Sequence, residues 1–346
     1  MILGSIYDQV SEVTVNQQPI ILKGNLLRLG LHQDIRYDET SRVLFIEDGK
    51  LFGTYVSPMM KTTSFSRLIA SWNAITPKDT TVEIQVRVEV NGKWSSFFTY
   101  GKWGLSQSNA SVFQEDELTS FSVDTLTVKG QKAQRVQVLA HLERAPHAQS
   151  PMLKLIGLTL DTEQMVFHNN VHLEEIRLAV PPKSQQLIPK IGHRICSPTS
   201  VAMVLNYKGN PITPEEVAQL VKDHGADLYG NWSYNVAVAG ALGHEAYVAY
   251  MSLEDVKSLL KSGHPIVASV TVKEESELDH LPKKADGTSI TYPDGHLLVI
   301  TGLGKHDGRH VVYVNDPAAS SDEQVARYYD LQQFMNVWKR VGYVIK

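Results

Sequence analysis

Ile195-Cys196-Ser197-Pro198-Thr199-Ser200-Val201-Ala202-Met203-Val204-Leu205-Asn206-Tyr207 is the stretch on which the reading of this chain turns. It holds the only cysteine in 346 residues. Proline has a fixed φ and no N–H, which suits the first turn of a helix and little else in one, so Pro198 marks a helix start. The run that follows is apolar nearly all round, the pattern of a helix buried inside a core. Lys208-Gly209-Asn210-Pro211 stops it. A thiol at such an N-terminus lies in the positive end of the helix dipole, which favours thiolate over thiol. Most lone cysteines are small buried hydrophobes, so the helix start needs support from elsewhere in the chain.

That support lies about a hundred residues downstream. Asp294-Gly295-His296-Leu297-Leu298-Val299-Ile300-Thr301-Gly302 reads as a buried strand with a histidine at its start. Gly304-Lys305-His306-Asp307-Gly308 is a turn, Arg309 to Val314 the returning strand, and Asn315-Asp316-Pro317 its end. If the turn centres near residue 306, paired positions sum to about 612, and His296 with Asp316 meets that sum. An antiparallel ladder then brings the two side chains within reach. Each alone has a plainer reading: a hydrogen-bonded core histidine, and a strand-end aspartate before proline. Together with Cys196 they form the set a cysteine peptidase needs. The thiolate attacks a carbonyl carbon, the imidazole pairs with it and later protonates the leaving amine, and the carboxylate fixes the ring tautomer.

Working outward, the same half shows three more capped helices. Thr213 with Glu216 forms a capping box before Val217, Leu220 and Val221. Gly230-Asn231 precedes a helix from Trp232 to about Leu242, and Ser252 with Asp255 opens another to Lys261. Pro265 to Val270 is rich in β-formers, and residues 272–292 are polar and read as a loop.

The N-terminal half alternates at period two. Val82, Ile84, Val86, Val88 and Val90 interleave with Glu83, Gln85, Arg87 and Glu89, and the hairpin signal Asn91-Gly92 follows. Lys93 to Tyr100 reads as the returning strand, with weaker strands at Val43–Ile46, Leu68–Trp72, Val136–Leu142 and Leu153–Leu160. Many short strands predict an all-β sandwich over residues 1–165. Residues 166–183, ending past Pro181-Pro182, are expected as a linker, and 184–346 as the second domain. Trp72, Trp94, Phe97, Phe98, Tyr100 and Trp103 flank the hairpin. They suit core packing better than a carbohydrate- or peptide-binding platform on the sandwich.

Composition excludes other classes. A chain this long favours two cores. The net charge of −4, from 33 basic and 37 acidic residues, leaves no nucleic-acid footprint. One cysteine excludes an internal disulfide and a thiolate-rich zinc site. His168 and His172 are four apart but lack a third ligand, so no metal is expected, and nothing calls for a cofactor. No window approaches the roughly 18 apolar residues of a membrane span. Met1 to Asp8 has neither a basic n-region nor an apolar stretch. The sequence as given reads as cytoplasmic, and as extracellular or cell-surface only if a signal has been removed.

Cys196-Ser197-Pro198-Thr199-Ser200, Met203 to Tyr207, Gly295-His296 to Gly302 and Val314-Asn315-Asp316-Pro317-Ala318 resemble, in that order, the C39-like peptidases, relatives of papain. Phe334 and Trp338 before a closing strand Gly342–Ile345 fit the family's end. The resemblance covers roughly residues 180–346. It implies an α+β chain in which a papain-like domain follows the sandwich, with Cys196 as nucleophile, His296 as general acid/base and Asp316 as orienting carboxylate. Its substrate would be a peptide or protein. The same triad serves any acyl-enzyme route, so a transglutaminase or cell-wall amidase is the runner-up, and a non-catalytic peptide-binding protein a third reading. Many relatives carry Cys-Gly-Pro where this chain has Cys196-Ser197-Pro198. Papain-like enzymes usually place an oxyanion-binding glutamine about six residues before the cysteine, where this chain has Lys190. Gln185 and Gln186 lie further upstream, and His193 is a rival donor. Asn231, Trp232 and Tyr234 resemble a family stretch near the substrate groove; a helix start and core aromatic are the plainer reading.

Overall fold

In the computed structural model, which describes residues 7–162 and 172–346, the chain is mixed α and β, with 19% helix and 43% strand. His168 lies outside the described residues. The chain divides into two compact units. One contains residues 1–165 together with 222–227 and 231–248, and the other contains 166–221, 228–230 and 249–346.

The first unit carries two eight-stranded sheets. One is centred on the antiparallel pair Thr80–Val90 and Ala133–Arg144, with Val86 opposite Val138. The other is centred on Arg67–Ile75 and Met152–Asp161. The Asn91-Gly92 turn has φ of 50° and 84°, the left-handed pair that a two-residue hairpin requires. The returning segment is broken into Lys93–Trp94 and Phe98–Trp103, both on Thr80–Val90. Trp72 meets Tyr100 and Trp103 edge-on at 6.1 and 6.2 Å, and the Tyr100 hydroxyl accepts the Ala70 N–H at 2.9 Å, tying the two sheets together. Trp72, Phe98, Tyr100 and Trp103 are buried, while the half-buried Trp94 and Phe97 stack on the Arg87 guanidinium. Four of these six aromatics are core, and the other two pack on Arg87.

A segment far along the chain completes this unit. The helix Trp232–Ala241 is buried from Ser233 to Gly240. Ser233 Oγ donates to Ala70 O at 2.6 Å, Tyr234 joins Trp72 edge-on at 6.2 Å, and the Tyr234 hydroxyl donates to Tyr100 O at 2.9 Å. Beyond the helix, Asn73 exchanges two hydrogen bonds with the Ala246 backbone, at 2.7 and 3.0 Å. Gly240 permits this approach, because a Cβ there would stand 2.6 Å from Asn73 Cα. Gly240→Ala is therefore expected to lower stability by about 1–3 kcal/mol despite alanine's better helix propensity, measured by urea unfolding.

The second unit is built on an antiparallel sheet. Trp338–Ile345 pairs with Ile266–Val272, which pairs with Tyr292–His306, then Arg309–Asn315, then Ala326–Asp330. The helix Cys196–Tyr207 is buried from Ser197 to Leu205, which is why its sequence shows no polar face. Ser200 Oγ donates to Leu297 O at 3.1 Å, and the hydroxyls of Ser197 and Tyr343 lie 2.8 Å apart, so two polar side chains fix the helix to the sheet. Thr213 and Glu216 form the expected cap, as do Ser252 and Asp255.

The hairpin register departs from expectation. The turn is Asp307-Gly308, with φ of 48° and 78°, and paired positions sum to 615 beside it, not 612. A bulge at Thr301 then changes the sum to 614 for Ile300 with Val314 and Val299 with Asn315. The strand also begins earlier than expected, at Tyr292. The bulge decides which face Asp316 takes. At 615, Asp316 would fall opposite Val299, on the face away from His296. At 614 it falls opposite Leu298, two residues from His296 and so on the same face. The bulged residue is held from outside, since Thr301 O accepts the Leu178 N–H at 2.8 Å.

Candidate active site

Cys196 is the first residue of its helix and is partly accessible. Ile195 before it offers no side-chain cap, so the first-turn N–H groups keep their positive field. His296 is the fifth residue of the strand Tyr292–His306, opposite Val270. Gly295, with φ of 97°, turns the backbone immediately before it.

Cys196 and His296 share a side-chain hydrogen bond. His296 Nε2 lies 2.9 Å from Asp316 Oδ1, which leaves Nδ1 as the ring nitrogen for the sulfur. The three groups thus form one hydrogen-bonded chain. The electrostatics follow from it. Burial of the sulfur opposes the thiolate, but the His296 hydrogen bond and charge, with the backbone N–H groups of Leu297 and Ser197, outweigh it and hold the thiol below its ordinary value. Burial also opposes charge on His296, yet the Asp316 carboxylate and the Cys196 sulfur raise it to about 10. Asp316 is fully buried, which favours its neutral form, but His296, Tyr329 and Arg327 take it to about 2. The shifts run towards thiolate on Cys196, imidazolium on His296 and carboxylate on Asp316.

The oxyanion candidates separate clearly. Gln186 and His193 are exposed, and Gln185 is buried in the short helical turn Gln185–Leu187. That turn is tied to the segment following Asp316: Gln185 N donates to Pro317 O at 2.9 Å and Ser184 Oγ donates to Ala319 O. Gln185 Nε2 donates to Gly192 O at 2.7 Å, while its Oε1 is buried with no partner among the described residues. Asn231, Trp232 and Tyr234 are engaged within the first unit. Asn231 caps its helix and donates to Asp223 Oδ2 at 2.9 Å, Trp232 N donates to Asp124 Oδ2 at 2.7 Å, and Tyr234 is fully buried.

Two site residues were not legible beforehand. Tyr292 and Tyr329 both donate to Asp316 Oδ2, at 2.8 and 2.6 Å. Tyr292 lay at the edge of what reads as a polar loop, and Tyr329 on a strand with no catalytic motif, so neither carried a local signal. Among the described residues, no cluster of three histidine, cysteine or carboxylate side chains could hold a metal ion, and no helix is long and apolar enough to cross a membrane.

Family models match both halves of the chain. Residues 177–346 match the Peptidase_C39 like family, and the C-terminal half of the chain belongs to that family. Residues 36–160 match a Peptidase C39 N-terminal domain, so both halves find their counterparts among C39 peptidases. No curated protein sequence matches the chain. Among solved structures, proCathepsin B S9 from Trypanosoma congolense is similar over 53% of this chain and 82% of that one, at 12% identity and a TM-score of 0.31, too low to bear on the fold. The family span includes residues 222–248, so the C39-like half itself contributes the helix that completes the first unit.

Proposed function

We propose that this protein is a cysteine peptidase in which Cys196 is the nucleophile, His296 the general acid and base, and Asp316 the group that orients the imidazole. The observation that carries the reading is the continuous Cys196–His296–Asp316 chain, with Nε2 on the carboxylate and the thiol depressed by its neighbours. Thiolate attack on a peptide carbonyl gives a tetrahedral oxyanion. Its collapse expels the amine, which takes its proton from His296, and leaves a thioester on Cys196. His296, now neutral, removes a proton from water, which attacks the thioester and releases the acid. We read the first unit's two sheets as the accessory β-sandwich of such an enzyme.

Gln185 is the oxyanion candidate we favour: its turn is anchored to the segment after Asp316, and its Nε2 carries a second N–H beyond the one given to Gly192 O, whereas the unpartnered Oε1 can only accept. Gln185→Ala is expected to lower kcat by about 10²-fold with little change in KM, whereas Gln186→Ala and His193→Ala leave kcat within about twofold.

The test of the whole reading is iodoacetamide alkylation of Cys196 across pH in the native protein. An inflection well below the ordinary thiol range of about 8.5, together with peptide-library cleavage abolished by Cys196→Ala, supports a peptidase. A thiol that titrates normally sinks it. Release of acyl product to added amines in preference to water would assign a transglutaminase-type acceptor instead.

A further inference from the structure

Asp316 is enclosed by donors on every side. Oδ1 faces His296 Nε2 at 2.9 Å and accepts the Ala318 N–H at 3.0 Å. Oδ2 accepts the hydroxyls of Tyr292 at 2.8 Å and Tyr329 at 2.6 Å. A carboxylate offers about four lone-pair sites, and these four contacts fill them. A neutral carboxyl would have to donate one proton into this cage, and one of the four donors would then have to give up its bond or turn to accept. The Tyr292 ring also lies flat on His296, with centroids 3.9 Å apart and planes at 13°. Tyr292 therefore touches two members of the triad at once.

We propose that Tyr292 and Tyr329 are positioning residues of the catalytic site: together they hold Asp316 ionised and fixed in rotation, and Tyr292 also fixes the plane of the His296 ring so that its other nitrogen stays on the Cys196 sulfur. This rests on the peptidase reading above. The physical case is torsional. The carboxylate of aspartate turns about a broad two-fold χ2, so one hydrogen bond to histidine does not fix it. Two hydroxyls on the far oxygen do. Burial and the Asp316 charge push both phenols well above their usual range, so they stay protonated and remain donors throughout the working range. Arg327 adds positive charge that favours the Asp316 anion, but its bonds go to the His280 and Gln324 carbonyls and to the Tyr329 side chain, so it does not replace either hydroxyl on Asp316.

The test uses the full chain and three variants: Tyr292→Phe, Tyr329→Phe and Tyr292→Leu. The phenylalanines keep the rings and remove one donor each, and the leucine removes the stacking as well. Two readouts are taken: the titration of the Asp316 carboxyl carbon by NMR, and kcat with KM on a peptide the unmodified protein cleaves. Each phenylalanine variant should raise the Asp316 midpoint from about 2 by roughly one unit, a tenfold change in proton affinity, since a hydrogen bond to a charged group is lost. Each should lower kcat about tenfold with KM unchanged, and Tyr292→Leu about 10²-fold. An unchanged Asp316 midpoint in both folded phenylalanine variants overturns the proposal. So does a kcat that falls only in step with the folded fraction. The NMR titration needs no substrate, so an ordinary Cys196 thiol in the unmodified protein would fail the peptidase reading while the carboxyl titration still decides whether the tyrosines hold Asp316.

Discussion

His296→Ala is expected to lower peptide hydrolysis by about 10³–10⁴-fold and to return the Cys196 thiol to its ordinary range or above. Two effects combine. The thiol is depressed chiefly by the His296 hydrogen bond and charge, while burial alone would raise it. Without the imidazole, burial dominates, and a thiol titrating near 9 is only about one per cent thiolate at pH 7. The leaving amine also loses its proton donor, a contribution of typically 10²–10⁴-fold, and the two losses overlap because the groups act as a unit. In the unmodified protein the productive ion pair spans a window. It opens as Cys196 deprotonates below its ordinary value, and it closes as His296 loses its proton near 10. Alkylation rate against pH in both proteins measures the lower edge directly. A variant whose profile matched the unmodified protein would remove His296 from the mechanism.

The same shifts set pH-dependent stability, with opposite signs. His296 is raised in the folded state, so its contribution is full below about 6.5 and is lost as pH rises through about 10. Asp316 is depressed, so its contribution is full above about 3.8 and is lost as pH falls towards about 2.

Expressing residues 177–346 alone, the span that matches the peptidase family, is expected to give an unfolded or aggregating product. That piece carries the helix Trp232–Ala241 but not the strand Arg67–Ile75 on which it packs. It would expose Tyr234 where it meets Trp72, and would lose the Ser233–Ala70, Tyr234–Tyr100 and Asn73–Ala246 hydrogen bonds. It would also lose Asp124 from the helix N-terminus and Ser111 from Asp223. Burial of a large aromatic is worth about 1.5–3 kcal/mol and each hydrogen bond about 1 kcal/mol, so the loss is several kcal/mol against a typical net stability of about 5–15 kcal/mol. Circular dichroism and size-exclusion chromatography check this. A monomeric 177–346 fragment with a cooperative melt would show that the family span folds by itself.

Much of the local structure was legible in the sequence. Pro198 with the apolar run after it gave the buried helix and put Cys196 at its start, because proline and hydrophobic periodicity act within one or two turns. Thr213 with Glu216, Ser252 with Asp255, and Asn91-Gly92 located caps and a hairpin for the same local reason. Pairing His296 with Asp316 was legible in outline, since a tight turn brings strand ends together, although the register was two to three residues off.

What the tertiary structure alone decided has one physical cause: contacts between residues far apart leave no local trace. The bulge at Thr301, held by Leu178, sets the face that Asp316 takes, and a side chain's face reverses with a single residue of register. The four donors around Asp316 come from two strands and a turn. Gln185 is distinguished from Gln186 and His193 only by its burial beside Pro317. Residues 222–227 and 231–248 read as part of the second half, yet they belong to the first unit, where Gly240 and Asn73 fit each other. The sequence by itself determined which residues are chemically able to act; packing determined how they are aimed.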